Sequence, residues 1–216
     1  MFSGQTSGIV IANDGAGVVR GNTVYANAGP GVLIKTRGHP LVEDNTIRDG
    51  KVAGIEVCDD GAGSVTGNDI FGNAVAGVEI HDGGHPTVTG NKVHDSEAIG
   101  VYVHDGGGGV VSGNEVYSMV GNCVSITTGS TPEVVGNKLY KSKASGVHVS
   151  EGGLGTVEDN DIYEHDLAGI TVERRGAPVC ANNRIRDNTL AGIIVRLLLL
   201  PSSSSRAFAI SVCALN

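Results

Sequence analysis

Three aspartates, Asp59, Asp82 and Asp105, recur at intervals of 23 residues, with Asp60 beside the first. The residue before each makes a second series: Cys58, His81, His104. Carboxylates brought side by side repel one another, and a Ca²⁺ ion with oxygen ligands relieves the repulsion. A carboxylate pair could instead share a proton and serve as acid and base on a glycosidic bond. Thiolate and imidazole are zinc ligands, but a straight ladder presents them in a line where zinc requires a tetrahedron. Lys35 and Thr127 also interrupt that series on either side. The simpler readings are a solvated acidic stripe in polar turns and surface histidines at strand ends. The histidines are read in that way, and Asp59, Asp82 and Asp105 are kept as a weak Ca²⁺ site, with no other cofactor. No nucleophile elbow is present, so serine-based hydrolysis has no motif.

A different series suits recognition: Tyr25, Arg48, Phe71, His94, Tyr117, Tyr140, Tyr163 and Arg186, again 23 residues apart. The whole chain holds only 5 Tyr and 3 Phe, so this column gathers most of its aromatic side chains. Tyr and Arg are common interface anchors, and aromatic rings on a flat face suit sugars or peptides. The competing reading is that stacked rings stabilise a sheet face by themselves.

The elements that must carry these columns follow from the same period. Asn22, Asn45, Asn68, Asn91, Asn114, Asn137, Asn160 and Asn183 keep the 23-residue step without an insertion. Gly8, Gly31, Gly54, Gly77, Gly100, Gly146, Gly169 and Gly192 keep it too, with Cys123 the one substitution. An unbroken period of this length marks a solenoid in which each coil packs only on its neighbours. Within a coil, Val78 and Ile80 flank Glu79, and every coil repeats that apolar–variable–apolar alternation, the period of a strand. Val88 and Val93 stand for two further columns made almost wholly of Val and Ile, which favour strands. The alternation predicts Val88 and Val103 buried and Glu79 and Tyr102 exposed. A leucine-rich repeat shares the period, but no segment has helical periodicity and leucine is scarce in the columns. The fold is therefore an all-β, right-handed parallel β-helix solenoid of about eight coils, over residues 8–195. Residues 1–7 form an N-terminal stub, and 196–216 form a non-repeat tail or cap.

Turn chemistry adds a second period. A glycine row (Gly15, Gly38, Gly61, Gly84, Gly107, Gly153, Gly176) calls for positive φ or close backbone approach. Two residues on, glycine and proline alternate: Gly17, Pro40, Gly63, Pro86, Gly109, Pro132, Gly155, Pro178. The structural unit is thus a pair of coils. Asn at a bend suggests hydrogen bonding along the stack and tolerance of left-handed φ.

The net charge of −8 argues against nucleic acid, whose phosphates call for basic surface. No run of about 18 apolar residues exists, so no membrane span is expected. Cys58, Cys123 and Cys180 occupy different columns of distant coils and cannot pair within the stack. With no signal-peptide pattern in MFSGQTSGIV, an intracellular location, cytoplasmic or nuclear, is expected.

The alternating G-x-P and G-x-G turns, with phrases such as LAGI, AGVEI and HPTV, resemble the β-helical region of the F-box only protein 11 family. That region belongs to a wider class of carbohydrate-binding proteins and sugar hydrolases. The resemblance spans residues 8–195. It implies a rod that presents protein substrates for ubiquitin ligation, although the F-box and the Cys/His-rich zinc module of the family are absent from this sequence. The expectation is a non-catalytic recognition scaffold that binds protein partners through the Tyr25–Arg186 column. On that reading, truncating Tyr117, Tyr140 or Tyr163 weakens partner binding with little loss of stability, and Asp82→Asn and Asp105→Asn do not. The alternative is a carbohydrate-active enzyme or sugar binder resembling polysaccharide lyases, hydrolases or epimerases. It ranks second because every turn is short and no long loop could wall a cleft.

Overall fold

The computed structural model describes residues 5–196. Residues 1–4 of the stub and 197–216 of the tail, with Cys213, lie outside the described residues. Among the described residues, short strands assemble into three parallel sheets and no helix occurs. The first sheet has nine strands, from Ile9–Ile11 to Ile193–Arg196. The second has eight, from Val18–Arg20 to Val179–Ala181. The third also has eight, from Thr23–Tyr25 to Arg184–Arg186. Each strand pairs with its own counterpart one coil on, as Val78 with Val101, Val88 with Val111 and Val93 with Val116.

The core is a cylinder lined by those columns. Ile55, Val78 and Val101 from the first sheet, Val65, Val88 and Val111 from the second, and Ile70, Val93 and Val116 from the third are fully buried. Val88 and Val103 are buried as expected. Glu79 and Tyr102 were expected to be exposed; both are only half-exposed, because neighbouring side chains on the same face cover them.

Corners between sheets are turned by left-handed residues. The Asn13–Arg174 column, which includes Asp59, Asp82 and Asp105, has φ between 46° and 55°. The asparagine column does not supply the left-handed φ expected of it. That falls one residue earlier, at Asp44, Gly67, Gly90 and their counterparts, which leaves each Asn amide free to face along the stack. Asn91 shows the result. Its Nδ2 donates to Asn114 Oδ1 and to the Val65 carbonyl, each at 2.9 Å. Its Oδ1 accepts from the Asn68 backbone N–H and Nδ2, again at 2.9 Å. The central six asparagines, Asn45 to Asn160, are each 1% exposed, so these bonds form where water cannot replace them.

Two glycine positions have steric causes. A Cβ at Gly77 would collide with Val93 Cγ1, so the first strand lies directly on the third sheet's core column. At Gly63, Gly109 and Gly155, a Cβ would collide with the carbonyl oxygen of Pro40, Pro86 and Pro132 in the preceding coil. Proline in one coil therefore demands glycine in the next, which accounts for the paired unit.

A second ladder follows the next corner, in the column Asn73, Ser96, Met119, Ser142, His165, Asn188, all but the last buried. Asn73 Oδ1 accepts from the Gly50 N–H and its Nδ2 donates to the Ile47 carbonyl. His165 makes the same pair of bonds: Nδ1 accepts from the Ser142 N–H, and Nε2 donates to the Leu139 carbonyl. Burial pushes its pKa from an ordinary 6.5 down to about 4, against the opposing pull of that carbonyl.

Two tests follow from these ladders. Asn91→Ala leaves the buried Asn68 backbone N–H without its acceptor and removes the amide donor to the Val65 carbonyl and to Asn114, and should lower unfolding free energy in urea by roughly 3 kcal/mol. For His165, the unfolded chain binds the proton at higher pH than the folded one, so stability is full above pH 6.5 and falls as pH drops toward 4. The loss should be at most about 3 kcal/mol. His165→Asn, which can keep both bonds, should flatten melting temperature across that window.

Candidate functional site

The outward face of the first sheet brings together Glu56, Cys58, Glu79, His81, Tyr102 and His104. Alternation places Ile55 and Val57 inward, so Glu56 and Cys58 point outward together. One coil on stand Glu79 and His81, and then Tyr102 and His104. Because the sheet is in register, a side chain also meets the column beside its own, at a separation of 25 residues. His104 Nε2 lies 3.1 Å from Glu79 Oε1, and His81 Nε2 lies 3.4 Å from Glu56 Oε1. Farther along, His148 Nε2 lies 3.3 Å from Glu173 Oε1.

Asp82 and Asp105 each grip the imidazole before them. His81 Nδ1 donates to Asp82 Oδ2 at 2.9 Å, and His104 Nδ1 donates to Asp105 Oδ2 at 2.8 Å. The left-handed backbone at Asp82 and Asp105 accompanies this inward turn of the carboxylate. Each imidazole is thus held between two carboxylates. The two rings stack, 4.8 Å apart and within 10° of parallel, and Tyr102 stacks on His104 at 4.2 Å. The side chains of Glu79 and His104 are only 13% and 15% exposed, so these histidines are not the free surface groups anticipated. Burial works to lower the pKa of His81, but the Asp82 hydrogen bond and the charges of Glu56, Glu79 and Asp82 outweigh it, and the net shift is upward. Hydrogen bonds from His104 and Thr128 hold Asp105 below the usual carboxylate range.

Of the three aspartates read as a Ca²⁺ column, all are exposed, and Asp82 and Asp105 each have one oxygen engaged by an imidazole. Among the described residues, the carboxylate that joins a thiol and an imidazole is Glu56: its Oε, Cys58 Sγ and a His81 ring nitrogen lie within 4.8 Å of one another. Reading the sequence one column at a time missed Glu56, Glu79 and Tyr102. The available signal was the spacing of two along the strand between Glu56 and Cys58, which puts both on one face.

The proposed recognition column lies on the third sheet, where strand pairing brings its members together in order. Arg48 sits over the Tyr25 ring at 4.8 Å. From Phe71 the rings of His94, Tyr117, Tyr140 and Tyr163 stack in one pile, with centroids 4.9–5.1 Å apart and planes within 13°. Arg186 caps it, 3.9 Å above Tyr163. The ring faces are turned to one another, so a partner would meet edges and hydroxyls. Diagonal bonds pin the pile from the side: His94 Nε2 to Asp69 at 3.0 Å, Tyr140 Oη to Glu115 at 2.9 Å, and Arg186 to Asp161 at 3.1 Å. Burial, reinforced by the Glu115 hydrogen bond, raises the Tyr140 phenol well above its ordinary range.

A family model described as a right handed beta helix region matches residues 1–93 and 76–197. The chain belongs to the right-handed β-helix family. Among solved structures, this β-helix is similar to the A-module of the mannuronan C-5 epimerase AlgE4 from Azotobacter vinelandii, at 14% identity and a TM-score of 0.61, covering 88% of this chain and 57% of that one. The periplasmic alginate epimerase AlgG matches at 14% identity and a TM-score of 0.55, covering 82% of this chain and 60% of that one. Pectate lyase Pel9A matches at 12% identity and a TM-score of 0.51, covering 85% of this chain and 51% of that one. The chain thus spans less than two thirds of each, and at such identities the likeness is one of fold. No curated protein matches the chain, and the F-box resemblance gains nothing from these comparisons.

The pile makes a prediction opposite to that of a free docking strip. Tyr140→Ala removes two ring contacts and the bond to Glu115, and should lower stability by about 2 kcal/mol. Chemical denaturation of Tyr140→Ala beside Tyr140→Phe, which keeps the stack, separates the ring's contribution from that of the hydroxyl.

Proposed function

We propose that this β-helix binds and acts on a polysaccharide along the outward face of its first sheet, with Glu79, Tyr102 and His104 as the proton-transfer group. The observation behind this reading is the Asp105–His104–Glu79 array, with bonds of 2.8 and 3.1 Å, beneath the Tyr102 ring. Acid–base work on a sugar needs a base with an acid in reach. Asp105 orients His104 by accepting its Nδ1 proton, which directs Nε2 toward Glu79 and the open face. A phenol beside that imidazole supplies a second proton donor. The fold neighbours carry names that speak of mannuronan, alginate and pectate, all polymers of sugar acids, and that supports the choice of a polysaccharide.

A polyanion approaching a chain of net charge −8 meets repulsion. Ca²⁺ held by Asp59, Asp82 and Asp105, beside the histidine column, would offset the uronate charge, and binding would then depend on that ion. Docking of a protein on the third sheet for ubiquitin ligation is the weaker reading, since its ring faces are covered.

The test is a panel of alginate, pectate and a neutral glucan, scored for binding and for product with and without Ca²⁺. Turnover of an acidic polymer is expected. His104→Gln and Tyr102→Phe should each lower kcat by about 100-fold or more while binding persists. Tyr140→Phe, on the other sheet, should change neither. Absence of binding to any of the three, or turnover indifferent to both first-sheet variants, contradicts the proposal.

A further inference from the structure

One coil before the proposed proton-transfer group, the same face carries a different donor set. Glu56 and Cys58 project outward two residues apart, and His81 stands across from Cys58 in the next coil. Cys58 Sγ lies 3.7 Å from Glu56 Oε1, and His81 Nε2 lies 3.4 Å from the same oxygen. The third separation, sulfur to a ring nitrogen, is within 4.8 Å. A tetrahedral zinc ion with ligand bonds of about 2.3 Å to sulfur and about 2.0 Å to nitrogen and oxygen has edges of about 3.5 Å from sulfur to oxygen and about 3.3 Å from nitrogen to oxygen. The sulfur–oxygen and nitrogen–oxygen edges, 3.7 and 3.4 Å, match these figures, and the sulfur–nitrogen edge, up to 4.8 Å, must close to about 3.5 Å by a turn of the Cys58 side chain when the ion binds.

We propose that Glu56, Cys58 and His81 bind a transition-metal ion of the Zn²⁺ class, with three protein ligands and the remaining position open to water or a ligand.

The surroundings fit such an ion. His81 Nδ1 donates to Asp82 at 2.9 Å, which orients Nε2 toward the cluster, as a carboxylate behind a metal-bound histidine does. Cys58 is 6% exposed and among carboxylates; burial, then Glu56 and Asp59, push its thiol up to about 12, while Lys35 in the preceding coil pulls the other way. A dication reverses that balance, because a coordinated thiol is deprotonated outright. With one thiolate, one carboxylate and a neutral imidazole, the site's charge cancels that of the ion. The mixed S, N and O donors favour zinc over Ca²⁺ and Mg²⁺, which take oxygen.

The next coil repeats the lattice positions with Glu79, His81 and His104, yet it does not build the same site. His81 and His104 are stacked nearly parallel at 4.8 Å. Ring lone pairs lie in the ring plane, so two stacked imidazoles cannot aim at one ion. A cysteine sulfur has no such plane, and Cys58 is what turns this ladder position into a corner of a tetrahedron. The site shares Asp82, which orients His81, with the Ca²⁺ column, but its three ligands are separate from Glu79, Tyr102 and His104, which carry the proton transfer of the polysaccharide reading.

The experiment is titration of the intact chain, in a Cys213→Ser background, with Zn²⁺ by calorimetry and with Co²⁺ by absorption. One equivalent should bind, and Co²⁺ should show thiolate-to-metal charge transfer. Cys58→Ser should abolish that band. Glu56→Gln, which preserves shape, should weaken Zn²⁺ affinity at least about tenfold, and Asp82→Asn by about 10- to 100-fold. Cys180→Ser, in a different column, should leave binding unchanged. Circular dichroism of each metal-free variant establishes that it is folded. Absence of stoichiometric binding, a Co²⁺ complex without the sulfur band, or affinity unchanged in Cys58→Ser and Glu56→Gln overturns the site.

Discussion

Everything in this molecule depends on one constraint: successive coils stack in register with no residue gained or lost. The buried asparagine ladder enforces it. From Asn45 to Asn160, each Asn oxygen accepts from the backbone and side chain of the preceding Asn, and each amide reaches the next Asn and a carbonyl 26 residues back, as Asn91 and Asn114 show. A slip of one residue would break every such bond and turn each strand's inward face outward. The proline-on-glycine contact between paired coils adds a steric check at another corner.

Strict register has a chemical consequence. A residue on the rod's surface meets its own column, about 4.8 Å away, and the column beside it on the diagonal. Identical columns produce ladders that support themselves, as in the pile from Phe71 to Arg186. Chemistry arises where adjacent columns differ. Glu79 with His104, Glu56 with His81, Glu115 with Tyr140, and Asp161 with Arg186 are all diagonal pairs 25 residues apart. On the third sheet these diagonals pin a pile of rings. On the first they place imidazoles between carboxylates, with a tyrosine at one end and a cysteine at the other.

The sequence made the fold legible because a β-helix is nearly one-dimensional: the 23-residue columns named the inward residues, the strands and the coil number. The second ladder escaped notice, since Asn73, Met119 and His165 share a position without sharing a residue type. What unites Asn73 and His165 is a slot that accepts one N–H, a geometric property that composition does not display. The site was legible only in part, for a similar reason. His81, His104, Asp82 and Asp105 stood out within their columns, but their partners Glu56 and Glu79 belong to another column, and in-register stacking sets the two columns side by side on the diagonal. The ring column was found in its correct order; the direction of its ring faces depends on side-chain torsions that residue types do not encode.

The central claim is that the working surface of this rod is the first sheet, and a footprint tests it most directly. Hydrogen exchange can be followed peptide by peptide with and without a glycan that the protein binds. The account predicts slowed exchange over residues 53–60, 76–83 and 99–106, which carry the carboxylate–histidine face. Protection confined to the third-sheet strands Asp69–Phe71, Lys92–His94, Glu115–Tyr117 and Lys138–Tyr140 would contradict it and return the aromatic pile to the role of binding surface.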